Sequence, residues 1–437
     1  MNQNPLKLAS LGIQHVLAMY AGAVIVPLIV GGALGLTAEQ LTYLVSIDIM
    51  MCGIATLLQV WKNKFFGIGL PVVLGCTFTA VGPMISIGGN YGITSIYGAI
   101  LVSGIFVMLV ATFFGKLVRF FPPVVTGSVV TIIGLTLIPV AMNNMAGGQG
   151  SPDFGSIENV MLAFGTLLII LVLYKFSKGF MRAISILIGI AAGTVAAYLM
   201  GKVDFSAVGE ASLFHMPQPF YFGMPTFDII PILTMILVAM VSLVESTGVY
   251  FALGDITNKK IKDKDLASGY RAEGLAIFFG GIFNAFPYTT FSQNVGLIQL
   301  SGVKSKNVIY VAGTFLVILG LVPKIGALTT VIPASVLGGA MIAMFGMVIA
   351  SGIKMLSKVD FNSQENLLII ACSIGLGVGV TVVPELFANL PENLRILTES
   401  GIVIGSLTAI ILNIVFNEFK RNKTESDETY VSESKAS

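Results

Sequence analysis

Long apolar stretches recur along almost the whole chain, and they constrain its fold more than any other feature. Charged residues make up only 11% of the 437 residues, whereas roughly 25% is usual in soluble domains. So few charges cannot cover a surface that faces water, which makes lipid the solvent for most of the chain. A membrane helix needs about 20 apolar residues, so this length allows about 14 spans. The sequence therefore predicts an all-α polytopic protein of the lipid bilayer.

Fourteen apolar runs, separated by charged or turn residues, give the approximate positions of the spans. In the first half they cover residues 8–32, 40–61, 69–86, 95–114, 122–142, 158–174 and 181–200. In the second half they cover residues 228–252, 266–283, 289–301, 307–323, 329–353, 365–387 and 398–418. The third and tenth spans are short and contain Pro71 and Pro287, so we expect them to be broken helices.

The distribution of basic residues predicts the orientation. With both termini in the cytoplasm, all but three of the 24 Lys and Arg residues lie on the cytoplasmic side; the exceptions are Lys202, Lys324 and Arg395. This bias follows the positive-inside rule and predicts a multi-pass membrane protein with both termini on the cytoplasmic side. The polar tail at 420–437 is predicted to be disordered in the cytoplasm.

The two halves of the chain resemble each other. PPVVTGSVV at 122–130 matches PASVLGGAM at 333–341, and GLPVVLGCTF at 69–78 corresponds more loosely to AFPYTTFSQN at 285–294. Each copy holds seven spans, so the second copy must enter the membrane from the opposite side. The sequence thus predicts a 7+7 inverted repeat, with residues 1–205 and 206–419 as its halves, and a substrate site near the broken helices.

Few polar side chains fall within the spans, and each is costly at that depth. Glu245 lies deep in the eighth span: it either accepts hydrogen bonds from a ligand or carries a proton, or else it is satisfied by neighbouring groups. Asp48 and Glu273 are further intramembrane acids. Gln14 and His15 form a polar pair in the first span, and this histidine can equally be structural or a proton carrier.

The segments that follow the two breaks are the predicted substrate site. Gln293 and Asn294 offer amide donors and acceptors beside backbone that is tolerated at membrane depth only where it lines a cavity or is buried. The alternative is that Gln293 caps the half-helix. Thr77 and Phe78 hold the equivalent place after Pro71, where the ring could stack on a flat ligand.

Several classes of function are disfavoured. The chain has no GxxxxGK[ST] phosphate loop, no HExxH zinc motif and no GxSxG nucleophile elbow. Its three cysteines show no CxxC spacing, and a net charge of +2 makes no basic patch. We therefore expect no enzyme, no resident metal or cofactor, and no nucleic-acid partner.

Taken together, these residues resemble the nucleobase–ascorbate transporter family. The most specific element is QNVGLIQLSG at 293–302, which resembles the signature of that family. Gln293, Asn294, Gly296 and Gly302 fit the signature, and Ser301 replaces its usual Thr. The resemblance extends from Gln14 and His15 to the end of the last span.

The resemblance implies a fold and a site. Spans one to four and eight to eleven would form a core, and the remaining spans a gate and a homodimer surface. Short strands would lie at 71–78 and 287–293. Glu245 and Gln293 would bind the base, and backbone near Phe78 and Ser292 would complete the pocket. By the same resemblance, Glu273 would be an acid needed for transport, and His15 the family's first-span histidine.

The resemblance also bears on the substrate. Gln293 is typical of xanthine and urate carriers, whereas uracil carriers tend to have Glu there. We therefore expect an importer of xanthine like the bacterial xanthine permeases of this family, driven by a co-transported cation, H⁺ or possibly Na⁺. Val249 stands where related carriers have His or Asp, which keeps urate and xanthine both open. The alternatives are a urate or uracil permease, and an anion transporter of the same architecture.

Overall fold

The computed structural model describes residues 5–117, 121–391, 395 and 398–418. In the first half the main elements are α1 (Pro5–Ala33), α2 (Ala38–Val60), β1 (Leu74–Cys76), α3 (Val81–Tyr91), α4 (Ile93–Leu117), α5 (Pro123–Met145), α6 (Ile157–Phe176), α7 (Gly179–Ala183), α8 (Ser185–Leu199) and α9 (Ser206–Glu210). In the second half they are α10 (Ile229–Thr257), α11 (Asp263–Phe283), β2 (Tyr288–Thr290), α12 (Ser292–Ser301), α13 (Lys306–Gly320), α14 (Pro323–Thr330), α15 (Ala334–Leu356), α16 (Gln364–Val382) and α17 (Gly401–Asn413).

Helices occupy all fourteen predicted spans. Within the described residues, eight helices are long and apolar enough to cross a membrane: α1, α2, α4, α5, α6, α10, α15 and α16. The bent pair α13 and α14 forms a ninth if it is taken as one span. The other spans correspond to the shorter helices α8 and α17, to α11, which begins with charged residues, and to the half-helices α3 and α12. The prediction of a helical membrane protein with 7+7 organisation is confirmed.

Several helix ends differ by a few residues from the approximate spans, and two of these ends lie beside a proline. Span eleven was expected to end at residue 323; α13 ends at Gly320, and after a bend of 79° the chain continues as α14 from Pro323. Proline suits the start of a helix because the first N–H groups there need no partner. Span thirteen was expected to reach residue 387, but α16 ends at Val382, just before Pro384.

The two broken helices meet through their extended segments. Strands β1 and β2 pair in antiparallel fashion, with Leu74 opposite Thr290 and Cys76 opposite Tyr288. The backbone N–H of Thr77 donates to the carbonyl of Pro287 at 2.9 Å, and that of Phe291 to the carbonyl of Val73 at 2.9 Å. Both strands lie within the segments that the family resemblance implied, and their pairing satisfies backbone groups that lipid cannot.

The chain divides into two compact units. Among the described residues, the first comprises 5–115 and 137–345, and the second comprises 116–117, 121–136, 346–391, 395 and 398–418. Each unit draws on both halves of the sequence, and every predicted site residue belongs to the first. The sequence halves 1–205 and 206–419 stay a prediction, and the tail at 420–437 lies outside the described residues.

Glycines allow close helix packing inside each unit. In the first unit, a Cβ at Gly53 of α2 would lie 2.6 Å from the carbonyl oxygen of Gly313 on α13. In the second unit, a Cβ at Gly377 of α16 would lie 2.9 Å from the carbonyl oxygen of Gly401, where α17 begins. Such contacts between small residues are the usual means of helix association in membranes.

Candidate functional site

Two serines of α10 attach this helix to the strand pair. The hydroxyl of Ser242 lies 3.3 Å from the hydroxyl of Thr77, next to β1, and that of Ser246 lies 3.1 Å from the hydroxyl of Thr289 in β2. Residues four apart share one face of a helix, so these contacts fix which face of α10 meets the strands. Glu245 lies between the two serines in sequence, and its position along the strand pair is fixed with theirs.

The carboxylate of Glu245 is partly exposed and has no hydrogen-bond partner among the described residues. Its side chain is partly exposed, although Ser242 and Ser246 on either side are buried. It accepts no hydrogen bond from any described residue, whereas Ser242, Ser246 and Thr247 all have partners. Of the alternatives left by the sequence, the one in which neighbouring groups satisfy this acid does not match the structure.

Gln293 lies at the start of α12, a helix that contacts α10, the helix of Glu245. Gln293 is partly exposed, Ser292 is exposed, and neither side chain bonds to a described residue. The cap position is occupied by Phe291, without a side-chain cap, so Gln293 is not the capping residue that the sequence allowed. The first N–H groups of a helix have no intrahelical acceptor, which leaves backbone donors beside the Gln293 amide.

Thr77 and Phe78 lie at the equivalent break in the first half. The hydroxyl of Thr77 is buried and occupied, because it accepts from the N–H of Thr79 at 3.3 Å and contacts Ser242. Phe78 is partly exposed and meets the ring of Phe345 edge-on, with centroids 5.7 Å apart. The structure thus gives Thr77 an anchoring contact and leaves part of the Phe78 ring open for stacking.

Asn294 is buried, unlike Ser292 and Gln293 just before it in α12. Its side-chain nitrogen donates to the carbonyl of His15 at 2.9 Å and lies 3.1 Å from Nδ1 of the same histidine. Both side chains are buried, while Gln14 is partly exposed and bonds to no described residue. The contact joins α1 to the half-helix that carries Gln293.

Asp48 on α2 holds both strands at once. Its carboxylate accepts from the backbone N–H of Phe286 at 3.0 Å, from the hydroxyl of Tyr288 at 3.3 Å and from the thiol of Cys76. The ligand atoms of Asp48, Cys52 and Cys76 lie within 4.8 Å of one another, so this buried group could hold a metal ion. The three hydrogen bonds already account for Asp48 as a structural attachment.

Glu273 on α11 belongs to a buried polar chain. It accepts from the hydroxyl of Tyr250 on α10, and that hydroxyl accepts from the amide of Gln59 on α2 at 2.8 Å. Gln59 also donates to the carbonyl of Gly269 at 2.7 Å. Val249, where the family resemblance led us to expect a polar residue, is buried. The second acid is therefore tied to its scaffold, unlike Glu245.

Sequence reasoning missed several of these contributors, namely Ser242, Ser246, Thr289, Tyr250 and Gln59. The spacing of Ser242 and Ser246 around Glu245 was a usable signal, because two hydroxyls on one face of a membrane helix need partners. Nothing local marked Tyr250 or Gln59, whose partners lie on other helices.

The arrangement suits a flat ligand that both donates and accepts hydrogen bonds. Glu245 offers acceptors, Gln293 a donor and an acceptor, and the start of α12 backbone donors. Phe78 adds an aromatic surface for the ring face. None of these groups is cationic, so the site favours N–H groups over a bare anion.

Known proteins of similar sequence and fold match almost the whole chain. The Xan_ur_permease family model, described as a permease family, matches residues 6–386. A xanthine permease of Bacillus subtilis (strain 168) is 67% identical over 98% of both chains. The uric acid permease PucK of the same organism is 66% identical over 97% of this chain and 98% of its own.

A solved structure shares the fold at low sequence identity. The transmembrane domain of the cyanobacterial bicarbonate transporter BicA superposes with a TM-score of 0.62 at 14% identity. The match covers 94% of this chain and 99% of that one. At this identity the likeness concerns the fold alone.

Proposed function

The chain belongs to the Xan_ur_permease family of nucleobase–ascorbate transporters, and we propose that it imports xanthine together with a proton. It is a membrane transporter for purine bases, not an enzyme. Xanthine as the base and H⁺ as the driving ion are the finer steps of the proposal. Na⁺ is the alternative ion.

The observation that carries this proposal is the free carboxylate of Glu245. A deeply placed acid without partners among the described residues is costly, and that cost is explained if a ligand supplies the donors. Xanthine presents ring N–H groups to an acceptor and carbonyl oxygens to donors. Glu245 would take the N–H groups, while Gln293 and the N–H groups at the start of α12 would take a carbonyl edge.

Proton symport would give this binding a direction. One charge crossing 100 mV supplies about 2.3 kcal/mol, which corresponds to roughly fifty-fold accumulation of a neutral base. Glu245 and Glu273 are the acids available to take up the proton. Release of base and proton together into the cytoplasm would complete one import cycle.

Urate is the second candidate, because relatives named for xanthine and for uric acid resemble this chain almost equally. Urate is an anion at neutral pH, whereas xanthine is largely neutral, and a site with a carboxylate and no cation favours the neutral base. The same reasoning disfavours an anion transporter, despite the shared fold.

Orientation and assembly belong to the proposal as well. We place the chain in the bacterial plasma membrane with both termini in the cytoplasm, because that orientation satisfies the positive-inside rule. A homodimer is expected from the family resemblance. Accessibility of single cysteines at Lys202 and Lys262 tests the orientation, and chemical cross-linking in membranes tests the dimer.

Uptake of labelled bases into membrane vesicles tests the function. Xanthine should accumulate, and collapse of the pH gradient should abolish accumulation while collapse of the sodium gradient should not. Unlabelled xanthine should compete best, ahead of urate, guanine, hypoxanthine and uracil. If urate competed more strongly than xanthine, urate would be the preferred substrate. If accumulation depended on the sodium gradient alone, proton coupling would be excluded.

A further inference from the structure

A cavity lies apart from the strand pair. It has a volume of about 430 Å³ and is bounded by the first turns of α2, by the connection between α8 and α10, and by the break between α13 and α14. Pockets for small ligands typically measure about 300–1,000 Å³. With the orientation proposed above, all three of these borders lie on the external side of the membrane.

One wall of the cavity consists of aromatic side chains that contact one another. Tyr43 of α2 stacks on Tyr221 of the connection, with ring centroids 3.8 Å apart and planes inclined by 16°. His215 meets Tyr43 edge-on at 5.5 Å. The hydroxyl of Tyr43 donates to the carbonyl of Gln218 at 2.8 Å. This hydrogen bond attaches the connection to α2.

Two polar atoms of the lining lack partners. The hydroxyl of Ser46, whose residue is only 6% exposed, and Nε2 of His215 are both buried without a hydrogen bond to any described residue. A buried polar atom left unpaired costs about 1–3 kcal/mol. Since both residues line the same cavity, a ligand or water there can satisfy both.

The charges of the lining restrict the ligand. Glu39 and Glu210 are exposed acids that border the cavity, and its described lining contains no Lys or Arg. Carboxylates attract N–H donors and repel anions. A flat neutral heterocycle with N–H groups, acceptor atoms and an aromatic face fits this lining, whereas urate does not.

We propose that this cavity is a second, external binding site for the neutral purine base, which captures it before it reaches Glu245. This inference rests on the proposed transport function. Tyr221 would stack on the ring, Ser46 would donate to a base acceptor, and His215 would take the remaining polar edge. Ser46 lies two residues before Asp48 on α2, so the cavity floor and the attachment of the strands belong to one helix.

Binding of labelled xanthine to the full-length protein in nanodiscs tests this site. The Glu245→Gln variant removes the central acceptor and should retain a weaker xanthine site. In that background Tyr221→Leu should weaken residual binding roughly tenfold, because loss of a stacking aromatic has effects of that order. Ser46→Ala should also weaken it severalfold, and Tyr221→Phe should preserve it.

The matched control is Phe214→Leu, an exposed aromatic of the same connection that does not line the cavity. It should leave residual binding unchanged. Ser46 has no partner to lose, so Ser46→Ala separates a ligand contact from a folding defect at Tyr221. Residual binding that survives both Tyr221→Leu and Ser46→Ala would overturn the proposal, as would Glu245→Gln protein that binds no xanthine.

Failure of the proposed transport function can be distinguished from failure of the external binding site. Wild-type vesicles that take up no xanthine would contradict the proposed function, even if the cavity variants changed residual xanthine binding as expected. Normal proton-driven uptake without any residual binding in Glu245→Gln protein would contradict the capture site alone.

Discussion

The carboxylate of Asp48 accepts the backbone N–H of Phe286 across 3.0 Å, joining residues that are 238 positions apart. The same carboxylate also accepts from Cys76 next to it in space. One acid on α2 therefore holds the extended segments of both broken helices, one from each sequence half. This attachment fixes the position of the strand pair, and the strand pair in turn positions the backbone near Phe78 and the start of α12.

Asp48→Ala should destabilise the folded protein. The change leaves the N–H of Phe286 and the hydroxyl of Tyr288 buried without this acceptor, at about 1–3 kcal/mol for each group. The apparent melting temperature in detergent should fall by several degrees, measured by fluorescence-detected size-exclusion chromatography. Asp255→Ala, at an exposed acid whose carboxylate bonds to no described residue, is the control. An unchanged melting temperature would show that Asp48 is not the attachment described.

Glu245→Gln should have the opposite profile, because the wild-type carboxylate bonds to no described residue. Folding should be unaffected, while loss of a charged acceptor for the substrate should reduce uptake to about a tenth or less. Initial rates of labelled xanthine uptake, normalised to protein in the membrane, measure this effect. Glu385→Gln, at an exposed acid, should transport normally. Wild-type uptake by Glu245→Gln would remove this residue from the mechanism.

Gln293→Glu should change the substrate specificity of the transporter more than the amount of protein in the membrane. An ionised carboxylate accepts but cannot donate, so a carbonyl of xanthine loses a donor and faces a negative charge instead. The KM for xanthine should rise about tenfold or more, and competition by uracil should strengthen. Gln299→Glu places the same change at an exposed position of α12 and should have little effect. Equal xanthine kinetics in Gln293→Glu and wild type would contradict the purine contact.

How far the sequence predicts this site depends on the range of each interaction. Pro71 and Pro287, in short spans at corresponding places of the two halves, were enough to predict two broken helices, whereas the strands beside the breaks were expected only from the family resemblance. Glu245 was found because a lone acid at membrane depth is costly wherever it lies. Such signals are local, so a single stretch of sequence carries them.

The partners of those residues could not be predicted in the same way. Asp48 was recognised as an unusual acid, but its bond to Phe286 depends on how α2 packs against a distant loop. Arg271 and Glu273 lie two residues apart on α11, a spacing that places them on different sides of a helix. Arg271 donates to Thr112 at 2.7 Å, while Glu273 accepts from Tyr250. Helix periodicity excludes a pair more easily than it finds one.

Gly75→Ala should disturb the strand pair directly. A Cβ at this position of β1 would lie 2.5 Å from the ring of Phe291, which is buried and precedes α12. Overpacking of this kind costs about 1–3 kcal/mol, and it should displace the start of α12 and reduce uptake. Gly82→Ala in α3, where nothing lies within 4 Å, is the control. Phe291→Leu should partly restore uptake to the Gly75→Ala variant, and a lack of any restoration would contradict the proposed clash.

His15 and Asn294 should act as one unit. Because Asn294 donates to the carbonyl of His15 and contacts its ring nitrogen, this pair fixes the start of α12, and with it Gln293. If His15 is structural, His15→Ala and Asn294→Ala should each raise the KM for xanthine, and the double variant should be little worse than either, since contacting residues are non-additive. A proton carrier would behave otherwise: His15→Ala would abolish proton-driven uptake but spare exchange of labelled for unlabelled xanthine, whereas Asn294→Ala would spare both. Uptake driven by a pH gradient and exchange at equal pH, measured on the same three variants, therefore decide between the two roles that the sequence left open.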